Sequence, residues 1–390
     1  MTATPTYVVI GGAGRMGRIT VRDLVETAPE AAVVIADYDL PAAEALAASY
    51  ASPRVRAVQV DVRDVGATAI ALEGAFAVLN SVQHHFNLPV MRACLAAGCH
   101  YLDLGGLFHV TRKQLAMHEE FQQKGLLALL GIGAAPGIVN VLARKAADTL
   151  DRVDEIHIYV AGVDRTPGRT PSLLGASYTM ETIIEEACDP AALFTGGQFT
   201  FVDAMSGTEE VRFPDPVGLA RPSYTLHSEV ATLPISFAGK GVKEVSFRIA
   251  FNADLTAKLR FLKALGMLSS EPVFADGSLV SPRKLLLELL KSVPPGEPGG
   301  VPDEYETLHV VVRGAAGGQP VERVLDCHVP GIREWEMGVD VDTGCPPSVC
   351  AQLLWRGDIT ARGCLPPELS VPVAPFLAEL AQRKMTVVES

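Results

Sequence analysis

A chain of 390 residues is long enough for two or three domains, and 48% hydrophobic with 20% charged residues is ordinary globular composition. The net charge of −12 argues against nucleic acid as a main partner. The seven cysteines are odd in number and spread out, and the first apolar strand begins at about residue 6, so a cytoplasmic protein with reduced thiols and no signal peptide is expected.

Residues 7–37 read YVVIGGAGRMGRITVRDLVETAPEAAVVIAD. An apolar strand (Tyr7 to Ile10) runs into a turn in which Gly12, Gly14 and Gly17 fit G-x-G-x-x-G. A helix-compatible segment follows, then a second apolar strand (Ala32 to Ala36) that ends in Asp37. Each part has a task in dinucleotide binding. Gly12 allows the tight turn, Gly14 lets a pyrophosphate approach the backbone, and Gly17 lets helix and strand pack closely. The helix N-terminus, with Arg15 and Met16 in its first turn, offers unpaired N–H groups to the phosphates. Asp37 stands where a carboxylate binds ribose hydroxyls and repels a 2′-phosphate, and Tyr38, Asp39 and Leu40 supply no arginine. NAD is the expected cofactor, with NADP as the alternative.

The alternation continues. A helix is predicted over Pro41 to Ser49, a strand over Val55 to Val60 ending at Asp61, and a helix over Val65 to Leu72. Phe76 to Leu79 is a strand ending at Asn80-Ser81, and Leu88 to Ala97 is a helix closed by Gly98. His100 to Leu102 is a strand ending at Asp103, Thr111 to Lys124 a helix, and Leu126 to Leu130 a strand. Such alternation implies a parallel, doubly wound sheet. The uncharged run Gly125 to Ala143 is long enough to cross a membrane, but four glycines, Pro136 and Asn140 interrupt it. It reads as a buried strand, a loop and the start of a helix, so no membrane partner is expected.

From about residue 152 the pattern changes. Val153 to Gly162, Val242 to Phe251, Tyr305 to Gly314 and Val321 to Val329 alternate apolar and polar positions, and residues 314–320 (GAAGGQP) read as a hairpin loop. An antiparallel sheet with one covered face is expected, in a separate α+β domain. Helices are predicted at Ser348 to Leu354 and Val373 to Lys384. The expected fold class is therefore α/β: a Rossmann domain over 1–135, a substrate and dimerisation domain over 136–335, and a segment, 336–390, that packs back on the first. Cys345 and Cys350 lack the spacing of a zinc ribbon, and no metal site is expected.

In open α/β sheets, ligands bind beyond the carboxyl ends of the strands. Those ends carry the glycine loop, Asp37, Asp61-Val62, Asn80-Ser81, and Asp103 with Gly105 and Gly106, then Ala135-Pro136-Gly137. Asp61 and Val62 are placed near the adenine and Asn80 and Ser81 near the nicotinamide half. Asp103, Gly105, Gly106, Pro136 and Asn140 are placed at the substrate. His84, His85, His100 and His109 bracket this region, and a histidine there has the pKa for acid–base work.

These segments resemble the saccharopine dehydrogenase-like family, most closely its lysine 6-dehydrogenase branch. The resemblance rests on GGAGRMG at 11–17, NSVQHHFNLPVMRACLAAGCHYLDLGG at 80–106, GIGAAPGIVNVLA at 131–143, DPAALFTGGQ at 189–198 and SVCAQLLWRGDITARGCLPPE at 348–368. It implies a homodimer and hydride transfer between an amine carbon and the nicotinamide, with the side-chain amine of an amino acid oxidised to a semialdehyde. Ala135-Pro136-Gly137 follows the lysine dehydrogenase pattern, where saccharopine reductases tend to carry Asp-Pro-Gly. His227-Ser228-Glu229-Val230-Ala231 departs from a His-Thr-Ser-Gly-Gly pattern, which puts lysine itself in doubt. Asp103 and Glu229 are the candidates to stabilise an iminium, and His227 the candidate to take a proton. A saccharopine-type imine reductase is the alternative enzyme, with Arg144, Arg165, Arg169 and Arg221 available for extra carboxylates. A non-catalytic NAD-binding scaffold or sensor is the alternative of another class.

Overall fold

A computed structural model describes residues 4–170, 173–174, 180–294 and 296–390. Six parallel strands build the first sheet: β1 (Thr6–Ile10), β2 (Ala32–Asp37), β3 (Val55–Gln59), β4 (Ala77–Asn80), β5 (His100–Asp103) and β6 (Leu127–Leu129). They lie in the order 3-2-1-4-5-6, and Gly363–Leu365 adds a seventh parallel strand beside β6. The period of two shows in β1. Tyr7 and Val9 enter one core, Val8 and Ile10 the other, so both faces are covered. Strand order reverses between β1 and β4, which opens a crevice at their carboxyl ends.

Helix α1 (Arg15–Thr27) follows the glycine turn. The helix Val341–Arg356 packs along it, and Thr20 Oγ1 donates to the Gly344 carbonyl over 2.7 Å. Farther on, the Arg383 guanidinium donates twice to the buried Asp23 carboxylate of α1, over 2.7 and 2.8 Å. Residues 125–143 form β6, a loop and the helix Ile138–Ala147, and among the described residues no helix is long and apolar enough to cross a membrane. The helix expected over Thr111 to Lys124 is two, Leu107–Leu115 and His118–Gln123. The break lets Phe108 enter one core and Phe121 the other.

The second sheet runs Thr386–Glu389, Gln319–Val329, Glu304–Ala316, β7 (Arg152–Asp164), Glu244–Ala250, Ala191–Thr195 and Gln198–Val202. It is mixed, since Glu244–Ala250 runs parallel to β7 while the other pairs are antiparallel. The long connection between those two strands permits the crossover that a hairpin forbids. Gly317 and Gly318, at φ of 56° and 78°, make the tight turn between Glu304–Ala316 and Gln319–Val329. One face of this sheet, including Ile156, Ile158, Val160, Phe247, Leu308 and Val310, shares a core with the Rossmann domain. That shared packing sets the second sheet against the carboxyl ends of the first.

Candidate functional site

The glycine loop separates structural from ligand demands. A Cβ on Gly12 would meet the Val9 carbonyl oxygen at 2.8 Å, and one on Gly17 would meet that of Gly11 at 2.1 Å. At Gly14 the only near atom is the Gly11 oxygen at 3.1 Å, so its bare backbone faces open space. Among the described residues no side chain caps α1, which leaves its first-turn N–H groups available to a phosphate. The Asp37 carboxylate accepts the Ala13 N–H over 3.0 Å and the Asp39 N–H over 3.1 Å, which ties the end of β2 to the glycine loop. Asp61 holds Arg63 at 2.6 Å, and that guanidinium lies 5.4 Å from the centre of the Tyr38 ring. The expectation of no arginine near the end of β2 is thereby corrected: folding brings Arg63 there from the next strand end. Val62 is buried in the second core.

Beyond β4 and β5 the polar residues divide into a wall and its support. Asp103 is 1% exposed and accepts from Tyr101 Oη at 2.8 Å, Gln114 Nε2 at 2.5 Å, Gly131 N at 2.6 Å, Gly105 N at 2.9 Å and Asn87 Nδ2 at 3.2 Å. Burial raises its pKa and these donors oppose the rise. In place of a cleft-facing carboxylate, Asp103 is a hub that positions the loops around it. Asn80 donates to Asn87 and Tyr101 in the same network. Asn140 is likewise turned inward, accepting the Gly137 N–H at 3.0 Å and donating to Glu368 at 2.9 Å. Gly106 donates to Ser228 behind the wall. His100 accepts the Leu127 N–H.

A cavity of about 220 Å³ opens where the two sheets meet. Met16, Ser81, His84, Gly105 and Pro136 line it from the Rossmann side. Val160, Phe247, Ile249 and Leu308 form an apolar floor on the second sheet. His227, Glu186, Glu306, Asp340 and Asp342 supply the charge, and no lysine or arginine is among the described residues of the lining.

His227 stacks on Phe247 with ring centres 3.7 Å apart. Its Nδ1 lies 2.7 Å from Glu229 Oε2 and its Nε2 3.6 Å from Glu186 Oε1. Burial disfavours the imidazolium, but the charges and hydrogen bonds of Glu229 and Glu186 outweigh it and lift the pKa to about 10. His227 therefore holds a proton at neutral pH, which corrects the expectation of a ready base. Glu229 is fully buried behind it, so the cation it meets is His227 and not a ligand. Across the cavity, burial and the neighbouring His85 push His84 down to about 4.

Glu186, Glu306 and Asp342 escaped the sequence reading, yet two carried a signal. Glu186 interrupts the apolar face of the helix Met180–Cys188, beside buried Ile183, Ile184 and Ala187. Glu306 shares its strand face with Leu308, Val310 and Val312, so the inward stripe ends in an acid. Asp342, at the start of a helix, looks like an ordinary first-turn acid.

Comparison with known proteins agrees with this geometry. Residues 7–129 match the model of the saccharopine dehydrogenase NADP binding domain, and residues 133–385 that of the saccharopine dehydrogenase C-terminal domain. Carboxyaminopropylagmatine dehydrogenase of Synechocystis sp. is 27% identical over 96% of this chain and 95% of its own. Carboxynorspermidine synthase of Vibrio cholerae is 25% identical over 77% of this chain and 74% of its own. Saccharopine dehydrogenase (L-Glu forming) from Saccharomyces cerevisiae has the same fold, with a TM-score of 0.73 at 16% identity over 99% of both chains. With both family models accounting for nearly its whole length and a glycine loop built for a dinucleotide, the chain belongs to the saccharopine dehydrogenase family of NAD(P)-dependent oxidoreductases.

Proposed function

We propose that this enzyme interconverts a C=N and a C–N bond on an aliphatic amine that carries more than one positive charge. The observation that carries the reading is the cavity lining: four carboxyl groups and two histidines, His84 and His227, with no lysine or arginine among its described residues. A substrate rich in carboxylates would need cations there, and a polyamine-like chain would not. The names of two relatives, a carboxyaminopropylagmatine dehydrogenase and a carboxynorspermidine synthase, describe amine chains of that kind.

NAD(P), when bound, supplies or accepts the hydride. The chain's own residues orient the amine and manage its proton. Ser81, Gly105 and Pro136 shape the wall, and the apolar floor excludes water from the reacting carbon. The charged His227, fixed between Glu229 and Glu186, is suited to donate a proton to a nitrogen in the reductive direction. Glu186 then faces the cationic nitrogen that this protonation creates.

The test is the absorbance at 340 nm with NADH or NADPH, an aldehyde-bearing amino acid and a panel of diamines, agmatine and lysine. Coenzyme oxidation that needs both aldehyde and amine is expected. A second reading, oxidation of the lysine side-chain amine, draws on Ala135 beside Pro136 in the wall, and coenzyme reduction by lysine alone would favour it. Absence of turnover with every amine would leave a cofactor-binding scaffold. A homodimer through the second domain is part of the proposal, supported by exposed Phe261, Leu265, Phe274 and Leu279. Light scattering at micromolar concentration should return twice the chain mass.

A further inference from the structure

The acids of the cavity differ in how they are satisfied. Asp340 pairs with Arg15 at 2.6 Å, and Glu304, just outside the lining, pairs with Arg169. Glu306 and Asp342 have no cationic partner among the described residues. Asp342 is 3% exposed, and its Oδ1 accepts from Thr343 Oγ1 at 3.1 Å. Its Oδ2 is buried and accepts from no N–H or hydroxyl group among the described residues, while the Glu306 carboxyl lies within hydrogen-bond reach of Asp342, so the two can share one proton. An unpaired buried carboxylate oxygen costs folding energy. Burial and the neighbouring Glu306 carboxyl together raise the pKa of Asp342. Two carboxyl groups side by side, with no cation between them among the described residues, present the acceptor pattern that a guanidinium fork or an alkylammonium satisfies by displacing the proton they share.

The floor beside them supplies the rest of the site. Leu308 is the next residue on the same strand face as Glu306, about 7 Å along the strand. Val160 and Ile249 continue this apolar surface. A short aliphatic stem lying on it would present a charged end to the carboxyl pair.

We propose that Glu306 and Asp342 seat the distal cation of the substrate, a guanidinium or ammonium at the end of an aliphatic chain, and so determine which amines the enzyme accepts. The proposal rests on reading the cavity as the amine site. It assigns the pair to binding and leaves the reacting nitrogen to the side of His227 and Glu186.

Calorimetry on the NAD(P)H-loaded protein tests it without turnover. The probes are agmatine, putrescine and n-pentylamine, the last with a methyl group where the others carry a second charge. Agmatine and putrescine should bind at least about tenfold more tightly than n-pentylamine, the scale of one charge-assisted hydrogen bond. Asp342→Asn and Glu306→Gln should each remove that advantage and leave the affinity for n-pentylamine and for NADPH unchanged. Retained NADPH affinity also shows that the variants are folded. The proposal is overturned if neither two-ended probe binds better than n-pentylamine, or if both variants keep the wild-type preference. The two readings fail separately. Binding that depends on the pair without oxidoreduction of any amine would sink the proposed function alone. Amine turnover with a preference indifferent to both substitutions would sink the cation seat alone.

Discussion

His227 Nδ1 and Glu229 Oε2 lie 2.7 Å apart, with Glu229 fully buried and its other oxygen unpartnered among the described residues. A charge that deep is tolerated because it holds an imidazolium. The pair therefore links the protonation of the cavity wall to a residue that the ligand never touches.

Glu229→Gln should loosen the proton on His227. We expect turnover in the reductive direction to fall about tenfold or more, the scale of a lost charge-assisted bond, with NAD(P)H affinity unchanged. The alkaline limb of the pH–rate profile should move down toward the ordinary histidine range. An unmoved limb would disconnect His227 from proton delivery.

The same pair predicts a pH dependence of stability. The folded pKa of His227 is about 10, above its ordinary 6.5, so its contribution is full below about 6.5 and is lost as pH rises through about 10. Denaturant midpoints of the wild type and His227→Gln, compared from neutral to alkaline pH, should converge over that window. A constant difference would argue against a charged His227.

Gly14→Val and Gly17→Val should fail in different ways. At Gly14 a side chain meets only the Gly11 oxygen and otherwise enters the space for a pyrophosphate, so fluorescence titration should show lost NADH binding in a folded protein. At Gly17 the 2.1 Å clash with the Gly11 oxygen pushes α1 off the sheet, and thermal stability should drop. Normal NADH affinity in folded Gly14→Val would remove the loop from the cofactor site.

Coenzyme choice is predicted to turn on Asp37 and Arg63. We expect the wild type to prefer NAD, because the Asp37 carboxylate would repel a 2′-phosphate. Asp37→Ser should raise kcat/KM for NADPH relative to NADH about tenfold, the size of one lost charged contact. Adding Arg63→Ser should cancel the gain, since Arg63 is the cation at Tyr38. A wild-type preference for NADPH would overturn the assignment of Asp37.

Arg383→Met should destabilise the protein by about 3–5 kcal/mol, because it strands the buried Asp23 without its partner. Adding Asp23→Asn should recover part of the loss. Both are readable by urea denaturation, and equal stability of Arg383→Met and wild type would mean that the tail contributes nothing to the Rossmann domain.

Much of this protein is local in sequence. The strands of the first sheet, the glycine loop and Asp37 announce themselves because a buried parallel strand needs an apolar run, and a phosphate-binding turn needs glycines at set spacing. The wall residues Ser81, Gly105 and Pro136 follow from strand ends for the same reason. What sequence alone left undecided is which acids work and in what direction they point. Asp103 reads as a ligand from its place at a strand end and Glu229 from the family resemblance, yet five donors claim the first and His227 claims the second. Glu186, Glu306 and Asp342 come from two helices and a strand far apart in the chain and meet only because the second sheet packs on the first. Charge at a point in space is a sum over neighbours that packing supplies, and packing also decides whether a carboxylate faces a ligand, a histidine or another carboxylate.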